Sequence, residues 1–324
     1  MKYVDEFRDP TAARRLINEI RCTATRPWVL MEVCGGQTHG LLRYGIEELL
    51  SGAVELIHGP GCPVCVTPAE DIDQARRLSQ QPDVILTSFG DMLRVPGRGG
   101  SLLEARSGGA DVRTVYSPVD ALKVARQHPD RDVVFFAVGF ETTAPATALA
   151  VLQAAESGIE NFSVLVSHVC VLPAMEAVLS SPGNRVQAFL AAGHVCTVTG
   201  YDDYHELTAR FGVPIVVTGF EPIDLLEGIR DCVRQLEAGQ AATTNQYARS
   251  VRAAGNTAAR SIVEQVYDVA DVPWRGFGVI PDGGLRLRPE FQRFDARHKF
   301  GIGCGTGTDV DTPVEDCPAA EVLA

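Results

Sequence analysis

With 324 residues, 45% hydrophobic and 22% charged, the chain has room for roughly two or three domains and the balance of an ordinary globular protein. Its formal net charge of −12 opposes a nucleic-acid partner, which needs a basic face. No apolar run approaches the roughly 20 residues that span a bilayer, and the opening MKYVDEFRDP carries acids without an apolar stretch, so neither a membrane segment nor a signal peptide is read and the expected location is the cytoplasm.

In chain order, residues 11–20 place Ala12, Ala13, Leu16, Ile17 and Ile20 at helical spacing. Short apolar runs then recur at 28–33, 54–57, 84–86, 133–138, 162–166, 189–191 and 215–217. Several are β-branched and continuous, which suits parallel strands buried on both faces. Helical patterns separate them, so the expected class is α/β with right-handed crossovers. Two short echoes hint at related halves: Gly139-Phe140-Glu141 returns as Gly219-Phe220-Glu221, and His168-Val169-Cys170 returns as His194-Val195-Cys196. The polar stretch 127–132 reads as their junction. From about residue 236 the pattern changes: 264–274 lacks a parallel-strand run, and 281–284 reads as a turn. Residues 301–308 are glycine-rich around Cys304. The last residues stop in a helix-start pattern without a cap, which reads as a chain with more sequence to follow. The expected division is an N-terminal helix (1–24) packing on the C-terminal domain, two α/β domains (25–128 and 129–235), and a smaller, truncated C-terminal domain (236–324).

Nine cysteines are many for a reducing compartment, where thiols serve more often as metal ligands or redox groups than as structural disulfides. Cys22 and Cys232, on amphipathic helical stretches, read as small buried hydrophobes. Cys62-Pro63-Val64-Cys65 is different. Its Gly59-Pro60-Gly61 lead-in excludes a regular helix or central strand and lets other backbone approach closely. Two sulfurs at this spacing either close a disulfide ring or share a metal ion. Acids early (Glu70, Asp71, Asp73) and arginines late (Arg76, Arg77) place a helix just after Cys65, whose N-terminus would favour a thiolate. Cys34-Gly35-Gly36-Gln37-Thr38-His39 puts another thiol at the C-terminal end of a predicted strand, where α/β sheets bind ligands. Three thiols and an imidazole can make a closed zinc site or an open iron site, and ligand type alone does not choose. Glu141, Thr142 and Thr143 form either a helix start or a carboxylate with hydroxyls pointing into the same crevice. The His-Val-Cys echoes place His and Cys on one strand face, either as core or as a second metal site. The glycine stretches lack nucleotide-binding spacing.

Together, Cys34-Gly-Gly-Gln-Thr-His39, Gly59-Pro-Gly-Cys-Pro-Val-Cys65, Gly139-Phe-Glu-Thr-Thr-Ala-Pro145 and Phe294-Asp-Ala-Arg-His-Lys-Phe300 resemble the hydrogenase maturation factor HypD family, with motifs spread over nearly the whole chain. The resemblance implies a scaffold on which the Fe(CN)₂CO part of the [NiFe]-hydrogenase cofactor is assembled. It implies Cys34 as iron ligand, Cys62 and Cys65 as the redox pair, and His39, Glu141, Thr142 and Thr143 lining a cleft between two similar α/β domains. It also implies a third domain with a [4Fe-4S] cluster that exchanges electrons with the pair, a small HypC-type chaperone sharing the iron, a HypE-type cyanide donor and, indirectly, the hydrogenase large subunit. Many relatives carry His where this chain has Gln37. Cys317 matches the first cysteine of the family's C-terminal set, and the other matches would lie past Ala324. Unless Cys304 and others substitute, the expectation is weak or no cluster binding. Two other readings of the same residues are a metal-free thiol–disulfide oxidoreductase and a structural Cys₃His zinc protein. The sequence does not decide whether the chain is an enzyme: a thiol–disulfide oxidoreductase would be one, whereas the leading reading is a metallocofactor assembly scaffold with redox-active thiols.

Overall fold

The computed structural model describes residues 5–302. In chain order its strands are β1 (Trp28–Glu32), β2 (Val54–His58), β3 (Val84–Ser88), β4 (Pro96–Gly97), β5 (Gly100–Ser101), β6 (Val112–Thr114), β7 (Asp132–Gly139), β8 (Phe162–His168), β9 (Ala188–Ala192), β10 (Ile215–Thr218), β11 (Thr243–Asn245), β12 (Tyr267–Trp274) and β13 (Gly278–Leu287). Two parallel sheets carry the fold, ordered β11-β10-β9-β1-β2 and β6-β3-β7-β8. The predicted α/β class and all seven predicted apolar strands are present.

The sheets are not consecutive in sequence. One unit comprises residues up to Cys62 together with Ala174–Thr257; the other comprises Pro63–Pro173 and the described residues from Ala258 onward. A boundary at 128 therefore does not describe the molecule. Residues 127–132 are no junction either, because Asp132 already pairs with Val84 inside the second sheet. The reason is strand partnership: β1 sits between β2 and β9, so the N-terminal strands need a partner supplied much later.

In the first unit, the helix Pro10–Thr23 starts at Asp9, whose carboxylate caps the Thr11 N–H at 2.8 Å. Its buried face, Leu16, Ile17 and Ile20, joins one core with Leu30, Val54, Leu190 and Val216 of the sheet and Ile229 of the helix Pro222–Glu237. It thus belongs to the first unit, not to a C-terminal domain. Cys232 lies in that core as expected, whereas Cys22, on the opposite side of its helix, is exposed and is not a core residue.

The second sheet shows why its strands read as continuous apolar runs. Val133, Phe135 and Ala137 of β7 enter one core, while Val134, Phe136 and Val138 enter another on the opposite face. Both faces are covered, so both sets of side chains are apolar. Among the described residues beyond 257, the helix Thr257–Val266 leads into an antiparallel hairpin, β12–β13, where the sequence offered no parallel-strand run. It joins the second unit at the end of β8: Val169 bridges Gly284, and the Cys170 N–H donates to the Gly283 carbonyl at 2.9 Å. Trp274 is 2% exposed and packs on Phe140 at 6.1 Å between ring centroids. Residues 281–284 lie inside β13, not in a free turn.

Candidate functional site

Cys34 follows β1 and forms the N-cap of the helix Gly35–Arg43. Its thiol therefore sits at a helix N-terminus, where the amides of Gly36 and Gln37 favour a thiolate. Burial acts more strongly and raises the thiol above its ordinary value. The neighbouring loop is tied to it through backbone: the Gly35 N–H donates to the Gly61 carbonyl at 2.9 Å. A Cβ on Gly61 would lie 2.4 Å from the Cys34 nitrogen, so only glycine allows this approach. Cys62 is the next residue, and it is joined to Cys65 in a disulfide. Pro63–Val66 is itself a short helical turn holding Cys65, ahead of the longer helix Ala69–Ser79. The helix predicted just after Cys65 is present as Ala69–Ser79, and the turn that holds Cys65 is an additional element ahead of it.

The remaining residues of the first motif divide. His39 is exposed on the helix behind Cys34. Gln37 is fully buried; its amide donates to the Ala191 carbonyl at 3.1 Å and the Thr218 hydroxyl at 2.6 Å, fastening the helix to the ends of β9 and β10. Two acid–base residues escaped the sequence reading. Glu32, wholly buried at the end of β1, accepts the Cys34 N–H at 2.8 Å. His58 Nδ1 donates to the same carboxylate at 2.9 Å, and this partner raises the imidazole above its ordinary value. A charged residue closing the apolar run Trp28–Glu32 was the available signal for Glu32. His58 had none, since its pairing depends on the β1–β2 register.

Glu141, Thr142 and Thr143 lie in the second unit, between β7 and the helix Ala144–Glu156. Thr143 occupies the N-cap position, but its hydroxyl donates back to the Phe140 carbonyl at 3.1 Å and does not cap the helix. Thr142 is exposed. The Glu141 carboxyl accepts the Val171 N–H at 2.8 Å through Oε1, while the buried Oε2 has no hydrogen-bond partner. Burial pushes this carboxyl up to about 7. A carboxyl displaced by burial, with one oxygen unpartnered, is a candidate functional position.

The two His-Val-Cys echoes do not form one metal face. His168 ends β8 in the second unit, buried and held down to about 4 by that burial. His194 and Cys196 lie in the helix Gly193–Thr199 of the first unit, so they are not on a strand at all. His194 nevertheless stacks on Phe220 at 3.8 Å, and a Cβ on Gly36 would sit 3.0 Å from that same ring and 3.7 Å from Cys34 Sγ. Phe220 and His194 are therefore first-unit neighbours of the Cys34 turn that the sequence reading did not place there.

A family model described as "HypD: Hydrogenase formation hypA family" matches residues 11–324. The chain belongs to the HypD family. It is 47% identical to the hydrogenase maturation factor HypD of Azotobacter vinelandii, over 98% of this chain and 86% of that protein. It is 47% identical to HypD of Escherichia coli K12, over 93% and 83% of the two chains. Against HypD of Rhodobacter capsulatus the identity is 44%, over 100% and 88%.

A [4Fe-4S] cluster needs four thiolates. Cys304 and Cys317 fall outside the described residues. Among the described residues no group of three or more His, Cys, Asp or Glu side chains is gathered to hold a metal ion. Cys196 and Cys232 are buried in apolar surroundings, and Cys22 is on an exposed helix face. These residues do not supply a cluster site. Among the described residues no helix is long and apolar enough to cross a membrane.

Proposed function

We propose that this HypD-family chain is a scaffold that holds iron at Cys34 while the Fe(CN)₂CO part of the [NiFe]-hydrogenase cofactor is built on it. Iron here is cargo. The observation that carries the reading is the Cys34 thiol, set at a helix N-terminus and locked by backbone contact to the residue before Cys62. A soft thiolate suits low-spin iron(II) bearing cyanide and carbon monoxide. The raised thiol keeps Cys34 protonated until metal displaces the proton, and the Gly36 and Gln37 amides then face the sulfur anion. Cys62 and Cys65 form the redox pair, alternating between the ring and two thiols by exchange of two electrons and two protons with an external dithiol. Glu141, with its orphaned oxygen, holds a proton near neutral pH and is the second unit's acid–base group. His39 of the first unit and Thr142 and Thr143 of the second are assigned auxiliary polar roles in the same maturation step. A HypC-type chaperone supplies a further thiolate to the iron, and a HypE-type protein delivers cyanide, before transfer toward the hydrogenase large subunit.

Infrared spectroscopy of the chain co-purified with its HypC-type partner tests this. The bands of iron-bound cyanide and carbon monoxide are expected in the native protein and in Cys22→Ala, and absent from Cys34→Ala. Bands that persist in Cys34→Ala defeat the assignment. The closed Cys62–Cys65 ring equally fits a metal-free thiol–disulfide oxidoreductase. Insulin reduction that needs only Cys62 and Cys65, in a protein that never carries iron, would favour that reading instead.

A further inference from the structure

Burying a carboxyl group is costly unless its oxygens find hydrogen-bond partners. Glu32 is 0% exposed, in a strand that is otherwise apolar. Its compensation comes from two different loops. Oε2 accepts the amide of Cys34 at 2.8 Å; Oε1 accepts the Thr38 hydroxyl, one turn along the helix behind Cys34. Oε1 also accepts His58 Nδ1–H at 2.9 Å, and His58 ends the strand from which the Cys62 loop departs. The other face of the imidazole meets Glu47, Nε2 to Oε2 at 3.7 Å.

The backbone repeats the same connection. The Gly59 N–H donates to the Glu32 carbonyl at 2.8 Å, and the Gly35 N–H donates to the Gly61 carbonyl at 2.9 Å. Holding a metal on Cys34 requires none of these cross-ties. Each loop could be anchored to its own strand alone. Instead the two loops share one buried carboxylate, so neither can shift without disturbing the other.

We propose that Glu32 and His58 are positioning residues that couple the two sulfur sites, so that opening the Cys62–Cys65 ring changes the reactivity of the Cys34 thiol. The inference rests on the roles proposed above for Cys34 and the pair. In the coupled step a dithiol reductant donates two electrons. The Cys62–Cys65 bond breaks, two S–H bonds form with two protons, and the reductant closes its own S–S bond. Coupling is reciprocal: whatever the ring does to a group on Cys34, that group does to the ring equilibrium by the same factor.

The test uses the full chain without metal. Alkylation of Cys34 by iodoacetamide is followed by site-resolved mass spectrometry with the pair oxidised, and again after reduction by dithiothreitol. Exposed Cys22 is the internal reference. The Cys34 rate is expected to differ by about fivefold or more between the two states, the lower end of ordinary coupling. In His58→Leu, which removes the donor, the ratio falls to about one; in His58→Asn, which returns an N–H near the Nδ1 position, it recovers. A ratio of one in the native protein overturns the proposal, as does an unchanged ratio in His58→Leu. A second measurement needs no variant: the midpoint potential of the pair, with Cys34 thiol unmodified and with it alkylated, is expected to shift by about 20 mV for a fivefold coupling. An unchanged potential overturns the proposal even if the variants fail to fold. No iron enters either assay. Coupling without infrared bands would sink the scaffold reading alone, and bands without coupling would sink this inference alone.

Discussion

Gly61 and Gly35 are opposite cases within one contact. A Cβ at Gly61 meets backbone at 2.4 Å, which no rotamer change relieves, whereas one at Gly35 finds its nearest neighbour at an ordinary 3.6 Å. Gly61→Ala is therefore expected to cost about 3 kcal/mol or more in urea unfolding, the severe end for a single substitution. Gly35→Ala is expected to cost little or to stabilise, since alanine is the better helix former. Equal effects would show that the two loops are not in backbone contact. Glu141 carries a pH signature. Its folded value of about 7 lies above its ordinary 4.5, so the neutral form is favoured by folding. That contribution is full below pH 4.5 and is lost as pH rises through about 7. Glu141→Gln is expected to flatten this slope and to raise stability at pH 8 by up to about 3 kcal/mol relative to the native chain. Urea midpoints at pH 5 and pH 8 decide it; parallel slopes in both proteins would refute the buried, neutral carboxyl. The placement of the Cys34, Cys62–Cys65 and Glu141 turns just after strands was legible, because short apolar runs followed by glycine-containing motifs mark strand ends. Glu32 and His58 were not legible as a pair, because only the parallel register of β1 and β2 sets them side by side.

At the scale of elements, periodicity served well where strands are buried on both faces. Val133–Val138 splits evenly between two cores, and a continuous apolar run is the only pattern that allows this. It failed for β12 and β13, whose residues alternate irregularly between buried and exposed and include Pro273, Pro281 and three glycines. Proline is tolerated there because the hairpin is a two-stranded ladder with open edges. What holds the hairpin is Trp274, which packs on Phe140 and donates its indole N–H to the Gly283 carbonyl at 2.9 Å. Trp274→Ala is expected to cost about 3–5 kcal/mol, as for other buried aromatic truncations. Hydrogen exchange should then rise first in β12 and β13. Loss confined to the first unit would contradict this placement.

For the whole molecule, the sequence reading correctly implied two parallel-sheet units but divided them at the wrong place. Strand runs show that sheets exist, not which strands share one. The chain changes units after Cys62, after Pro173 and after Thr257, so each sheet is assembled from separated segments. A fragment of residues 25–128 holds β1 and β2 without β9, and β3 and β6 without β7. It is expected to show no cooperative thermal transition by near-ultraviolet circular dichroism; a sharp one would mean that these strands pair differently.

The interleaving also imposes an order of events at birth. The helix behind Cys34 rests against Phe220 and Leu225, and β1 awaits β9. At roughly 5–20 residues per second of synthesis, those partners emerge on the order of ten seconds after the turn they support. During that delay β1 has β2 beside it but not β9, while the intervening sheet can already close. The turn that carries position 34 thus acquires its full surroundings only once β9 and the Phe220 segment have been made.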